Sequence, residues 1–352
     1  MTAVRRSTLL RSLTLVIVCG LVLLLISEVI SDYRLEQLSY GGYYFAVLAG
    51  LTVLAGQSGQ ISLGQGALMA VGAYTVALLI GNEHWPLFPA LVAATVVTLA
   101  VGIPVGAAAS RLRGPYLAGA TLAFAVGLPA LADRFPATFG GENGLTINPA
   151  TPPSWLGANF DLLRWQAWVA CLGALVVLFV LYNLIHSGFG RAWRAVRDDE
   201  IAASLCGLRV GRTQTLAFVV SAACAGLAGG LFTVAYQLAA PGAFQLQLSL
   251  FLLAGVVVGG LGSLAGAVWG AALLVFLPNW THDIASSFSL STNVSNNLPL
   301  AVYGVILIGA MLLWPSGIQG GIRALTGPLR ARVGAARLAR PRRASEAEPG
   351  SR

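Results

Sequence analysis

The sequence predicts an all-α polytopic membrane protein with about ten transmembrane helices and both termini on the cytoplasmic side. Three observations lead there. The 352-residue chain is 57% hydrophobic and 10% charged, with a mean hydropathy of +0.78, where soluble domains carry roughly 25% charged residues. Charges are missing from long stretches: none lies between Glu36 and Glu83, or between Arg212 and Asp283. The basic residues fall in alternate gaps between apolar runs, as the positive-inside rule requires.

A membrane helix needs about 20 mainly apolar residues. The first such run is 9–27, expected to stay uncleaved because no small-x-small cleavage site follows its long apolar core. The charge-free stretch after Glu36 is long enough for two crossings, 39–55 and 61–80, divided by Gly56-Gln57-Ser58-Gly59-Gln60. Runs at 87–110, 114–132 and 165–186 follow. The stretch after Arg212 must begin inside and end outside, so it holds an odd number of crossings. Three are expected, at 213–237, 243–258 and 264–277, with 298–314 as the last span. The two short runs at 243–258 and 264–277 leave a fallback of eight full spans plus a re-entrant hairpin at Gly259-Gly260-Leu261-Gly262-Ser263. Residues 1–322 therefore form a membrane domain with a cytoplasmic loop at 187–212. Residues 323–352, rich in Arg, Ala and Pro, form a disordered tail near anionic headgroups.

With the N-terminus inside, three Arg at the start of the chain (Arg5, Arg6 and Arg11), Arg111 and Arg113, five from Arg191 to Arg212 and eight in the tail all fall inside; Arg34, Arg134 and Arg164 remain outside. Eight of the 13 acidic residues fall outside. The net charge of +8 thus reports topology, and nothing is left over for nucleic acid. All 21 basic residues are Arg, which excludes a P-loop lysine and a Schiff-base lysine. The expected spans hold no Asp, Glu or Arg well inside the bilayer, against a proton-coupled carrier or an embedded hydrolase. No catalytic residue, metal site or cofactor is expected in the chain. The four Cys, without ligand spacing, read as small buried hydrophobes. A sodium-coupled carrier and a permease driven by another subunit both survive.

Three segments carry further signal. Small residues at Gly102-x3-Gly106, Ala225-Gly226-x2-Gly229-Gly230 and Gly266-x3-Gly270 permit close helix packing. Gln57, Gln60, Ser62 and Gln65 crowd polar groups at one inner turn, where they either satisfy backbone freed by a broken helix or, with Tyr74, line a polar path. The inner loop predicts a helix over 191–206 ending at Gly207, with Ile201, Leu205 and Leu208 as an apolar stripe opposite Arg191, Arg194 and Arg197. Asp198, Asp199 and Glu200 suit a groove on a cytoplasmic protein better than anionic lipid.

Glu200-Ile201-Ala202-Ala203-Ser204-Leu205-Cys206-Gly207 is similar to the coupling signature of bacterial ABC importer permeases, Glu-Ala-Ala followed three residues later by Gly. The extra Ile201 resembles the form in LivM-type branched-chain amino-acid permeases. Gly59–Ala67 with Gly72-Ala73-Tyr74, Arg113–Tyr116 with Thr121–Phe124, Gly140–Leu145, Gly259–Leu264 and Trp314–Gly317 look like the same family, in order across roughly 40–320. Gln65 stands where many relatives have His. The resemblance implies a pore-forming subunit of the inner membrane, passing branched-chain amino acids or related small polar solutes inward. It implies as partners a second related permease, two ATPase subunits that bind ATP, and a periplasmic or lipid-anchored binding protein. It also implies that Arg191, Arg194, Arg197, Asp199, Glu200, Ala202, Ala203 and Gly207 form the coupling element. The outer loop with Gly141, Glu142 and Asn143 is the expected contact for the binding protein.

Overall fold

The computed structural model describes residues 2–112, 115–149, 151–153, 156, 160–287 and, further on, 298, 301–302, 304–306, 308–309, 317–322 and 324. The membrane helices are α1 (Thr2–Val29), α2 (Asp32–Leu51), α3 (Gln65–Gly81), α4 (Leu87–Ala109) and α5 (Pro115–Arg134). After a single turn, α6 (Pro136–Phe139), come α7 (Leu162–Ile185), two short helices α8 (Gly188–Asp198) and α9 (Glu200–Leu205), then α10 (Val210–Tyr236), α11 (Leu246–Gly259) and α12 (Leu264–Ser287). Strands β1 (Leu145–Thr146) and β2 (Leu238–Ala239) pair antiparallel, Leu145 opposite Ala239. Eight helical segments are long and apolar enough to cross a bilayer, and α3 adds a shorter apolar helix. These nine match the first nine expected spans in order. The tenth, 298–314, and the tail 323–352 lie outside the described residues apart from scattered positions.

The boundaries differ from expectation for identifiable reasons. α2 begins at Asp32, because three charged residues in its outer turns extend beyond the apolar zone and Asp32 favours a helix N-terminus. Its C-terminal end becomes a π-helical turn, Thr52–Gln57. A 3₁₀ turn, Pro241–Phe244, continues into α11 and brings that span to 19 residues. With 24 residues in α12, both runs read in the fallback as one re-entrant hairpin are long enough to cross. Of the four Cys, Cys171 and Cys224 are buried but Cys206 is exposed, correcting its reading as an interior hydrophobe.

Alternate connections gather at two ends. At one, Trp193 bonds the Thr213 carbonyl, Gln57 reaches Gly262, and Ser12 on α1 meets Asn183 on α7. At the other, Glu28 pairs with Arg164 at 3.2 Å and the Ile147 N–H reaches the Gln237 carbonyl. The first end carries the Arg-dense loops.

α10 sits at the centre, with 72% of its apolar window buried against 6% for α1. Glycine makes this possible. A Cβ on Gly72 of α3 would lie 2.1 Å from the Gly226 carbonyl oxygen, and one on Gly229 would lie 1.9 Å from that of Met69. On the α4 side, a Cβ on Gly102 would come within 2.5 Å of Ala222. Backbone meets backbone at distances no larger side chain permits. We predict that Gly229→Val destabilises the protein by more than ~3 kcal/mol, since the obstacle is a carbonyl rather than a side chain that can turn away. Gly127, whose added Cβ meets nothing within 4 Å, tolerates Ala. Thermal unfolding in detergent, followed by tryptophan fluorescence, separates the two.

Candidate functional site

The loop between α7 and α10 is a structured platform. Ser187 caps α8 by accepting the Phe189 N–H at 3.2 Å. Gly190 lies directly under α7, where a Cβ would sit 1.9 Å from the Ile185 carbonyl. Trp193 is fully buried and donates its indole N–H to the Thr213 carbonyl at 3.0 Å. An aromatic residue inside an Arg-rich loop was a signal the sequence offered and the sequence reading passed over. Two of the three arginines turn inward. Arg194 Nη1 donates to Gln57 Oε1 at 3.0 Å and reaches the Ile185 carbonyl at 3.5 Å. Arg197 Nη1 donates to the Gly56 carbonyl at 2.6 Å, while its Nε and Nη2 hold Asp198. Arg191 is exposed.

The single helix expected over 191–206 is broken at Asp199. Its backbone is extended (φ −158°, ψ 109°), and its carboxylate accepts the N–H groups of Ile201 at 2.8 Å and Ala202 at 3.0 Å. An Asp just before an apolar stripe is a helix start, and here that preference outweighs the lack of Gly or Pro. α9 turns Ala203 inward and leaves Ala202, Ile201 and Leu205 outward; Ile201 is 74% and Leu205 83% exposed. Glu200 accepts from Gln214 Nε2 at 2.8 Å, tying α9 to α10. Gly207 has φ +84°, yet a Cβ there meets nothing within 4 Å; backbone conformation alone selects glycine.

Under this platform lies the polar turn. Gln57, Gln60, Ser62 and Gln65 are all at least 95% buried. Gln57 Nε2 donates to the Gly262 carbonyl at 2.7 Å. Gln60 Nε2 donates to Ser58 Oγ and to the Gln214 carbonyl, and Gln65 Nε2 to Ser221 Oγ at 2.8 Å. Backbone N–H groups freed by the irregular stretch before α3 find hydroxyls: Leu63 on Thr121, Gly64 on Ser62, Gly66 on Ser249. Thr121, Ser221 and Ser249 sit singly in apolar runs, and nothing local in the sequence marks them as partners. Gln60 Oε1 and Gln65 Oε1 have no partner among the described residues.

Tyr74 stands apart from this cluster. It lines a cavity of about 220 Å³ with Val71, Leu78, Val97, Leu128 and Phe139, against whose ring it packs edge-on. At the opposite end, Gly141–Asn143 form a 3₁₀ turn with Gly141 buried and Glu142 and Asn143 exposed. The β1–β2 pair ties that turn to the segment that follows the C-terminal end of α10. Among the described residues no group of three His, Cys, Asp or Glu is arranged to hold a metal ion.

A family model described as "Branched-chain amino acid transport system / permease component" matches residues 33–313. The high-affinity branched-chain amino acid transport system permease protein LivM of Salmonella typhimurium is 33% identical over 301 residues, covering 78% of this chain and 67% of that protein. LivM of Escherichia coli K12 matches to the same extent. The permease protein LivH of Salmonella typhimurium is 26% identical over 308 residues, covering 82% of this chain and 96% of its own length. No solved structure matches the chain.

The Asp199 cap is directly testable. Asp199→Ala removes the side-chain oxygen that accepts both the Ile201 and Ala202 N–H groups and costs α9 about 1 kcal/mol. Hydrogen exchange should accelerate at the Ile201 and Ala202 amides and stay unchanged within α10.

Proposed function

We propose, for a chain that belongs to the branched-chain amino acid transport system permease family, that it is one membrane subunit of an ATP-driven importer that passes branched-chain amino acids inward. The observation that carries this reading is α9, which presents two large apolar side chains outward, Ile201 and Leu205, on a helix capped by Asp199 and tied to α10 through Glu200 and Gln214. An anchored helix with an uncovered apolar edge suits insertion into a groove of another protein. The ATPase subunits supply that groove. They also supply the ATP site, since a chain without lysine has no P-loop lysine of its own. Seen this way, Ala202 allows close seating against the partner and Ala203 close seating of α9 on the membrane body, Asp199 and Glu200 fix the angle of α9, Gly207 ends it, and Arg191 faces the partner. Arg194 and Arg197 serve the same element from behind, by holding α8 to the membrane body.

The likeness to both LivM and LivH over about four-fifths of the chain favours a pair of related permeases enclosing the path between them. The Arg-dense end faces the cytoplasm by the positive-inside rule; with both termini on that side, the chain is a subunit of the bacterial inner membrane, as its likeness to LivM favours. Glu142 and Asn143 then face outward toward a periplasmic or lipid-anchored binding protein. The hydrogen bonds of Gln57, Gln60, Ser62 and Gln65 favour the supporting role for these residues, and Tyr74 is the member of that set beside open space. ATPase closure would press on α8 and α9 and rock the spans between inward- and outward-open states.

Uptake of labelled leucine by cells carrying the complete system tests the reading. Leu205→Glu should lower uptake about tenfold or more, the loss expected when one buried leucine contact is replaced by a charge, with membrane levels unchanged. Gly207→Val should impair uptake and Gly207→Asn should largely retain it, because Asn tolerates positive φ. Normal uptake by L205E, or uptake that follows a sodium gradient without ATP, overturns the proposal.

A further inference from the structure

The Gly259–Ser263 turn between α11 and α12 is a sequence motif with no role in the reading above, yet two distant segments converge on it. Gly56 lies against it so closely that a Cβ would fall 2.1 Å from the Gly262 nitrogen, and a Cβ on Gly317 would fall 2.4 Å from the Gly260 Cα. Gln57 bonds its Gly262 carbonyl at 2.7 Å. The other end of the same amide accepts Arg194 from α8 at 3.0 Å. Gln57 is only 5% exposed, and each polar end of its planar amide holds a different element.

The element in between is unusual. Gln57 is the last residue of the π-helical turn Thr52–Gln57 that closes α2. π-turns hold one residue more than the α-helix accommodates and recur at functional sites. Thr52 Oγ1, at the start of the turn, is buried without a partner among the described residues. Arg197 grips the Gly56 carbonyl within the same turn at 2.6 Å. Two arginines of one helix thus hold the π-turn, and the π-turn holds the α11–α12 turn.

We propose that Gln57 is a positioning residue that transmits displacement of α8 to the α11–α12 turn, with the π-turn as the segment that yields. This rests on the transport reading, in which α8 and α9 receive the ATPase stroke. The chemistry requires an amide. Glutamate keeps the acceptor for Arg194 but loses the donor and sets a carboxylate against the Gly262 carbonyl; methionine keeps the length and loses both ends. A second line, from Glu200 through Gln214 to Gln60, runs to α10 and the start of α3 and does not pass through Gln57.

Spatial adjacency alone does not establish coupling; the energetic test is a double-mutant comparison. The complete complex, with its second permease, ATPase subunits and binding protein, is reconstituted in liposomes, and the ratio of leucine transported to ATP hydrolysed is measured. Arg194→Ala cuts the first link and Gln57→Glu the second. Each should lower the ratio about tenfold, the scale of one lost charge-assisted or buried hydrogen bond. The double variant should fall no further, since links in series fail once. Gln57→Met replaces Gln57→Glu, and Arg194→Met replaces Arg194→Ala, where either does not assemble, and unfolding temperatures in detergent check that the fold is intact. Unchanged ratios in the single variants, or a double loss equal to the product of the single ones, overturn the inference while the wild-type complex transports. A wild-type complex without ATP-driven uptake overturns the transport reading itself.

Discussion

The approach of bare backbone to bare backbone along α10 is the contact on which the fold depends. Inside a bilayer no hydrophobic force draws one apolar helix to another, because lipid is as apolar as leucine; close packing and hydrogen bonds must do it. Gly72 and Gly229 bring α3 onto α10, and Gly102 and Gly226 bring α4. Once those helices are seated, the remaining positions follow. α2 is placed through Gly50 against Cys224, α7 through Gly42 of α2 against Ala170, and α1 leans on α7 from outside.

The same environment explains the polar turn. A helix that stops within the apolar depth leaves donors with no water to receive them, each costing several kcal/mol if unmet. The stretch between the π-turn and α3 leaves several such donors, and three of them meet hydroxyls from α5, α11 and the turn itself. The glutamines answer the complementary need, donating to carbonyls and hydroxyls of α10 and the α11–α12 turn. Satisfying a broken helix has the side effect of tying four elements together, so what the backbone requires also builds a mechanical junction.

The spans were legible because charge and hydropathy are local quantities. Asp199 was legible in principle: a capping residue before Ile201 and Leu205 is a helix start, but the absence of Gly and Pro suggested continuity. The π-turn has no local signature at Thr52–Gln57. The partners of the glutamines were out of reach altogether, since Gln57 and Gly262 stand 205 positions apart, and Gln65 and Ser221 stand 156 apart. The cluster of amides showed that something polar was being satisfied, and only the packed structure shows by what. The arginines of α8 illustrate the same limit. Their face on the helix follows from spacing, whereas their inward direction depends on α7 lying where Gly190 admits it.

The pairing of α11 with α12 carries a consequence of its own. A Cβ on Gly259 would fall 2.2 Å from the Gly266 carbonyl oxygen, and one on Gly270 would fall 2.4 Å from that of Gly255. Where side chains interlock, sliding one helix past another means lifting each knob out of its hole and over a rotamer barrier. A seam of carbonyls and Cα hydrogens has little corrugation. Along it the two helices meet without interlocked side chains, so a change in their crossing has no rotamer barrier to climb.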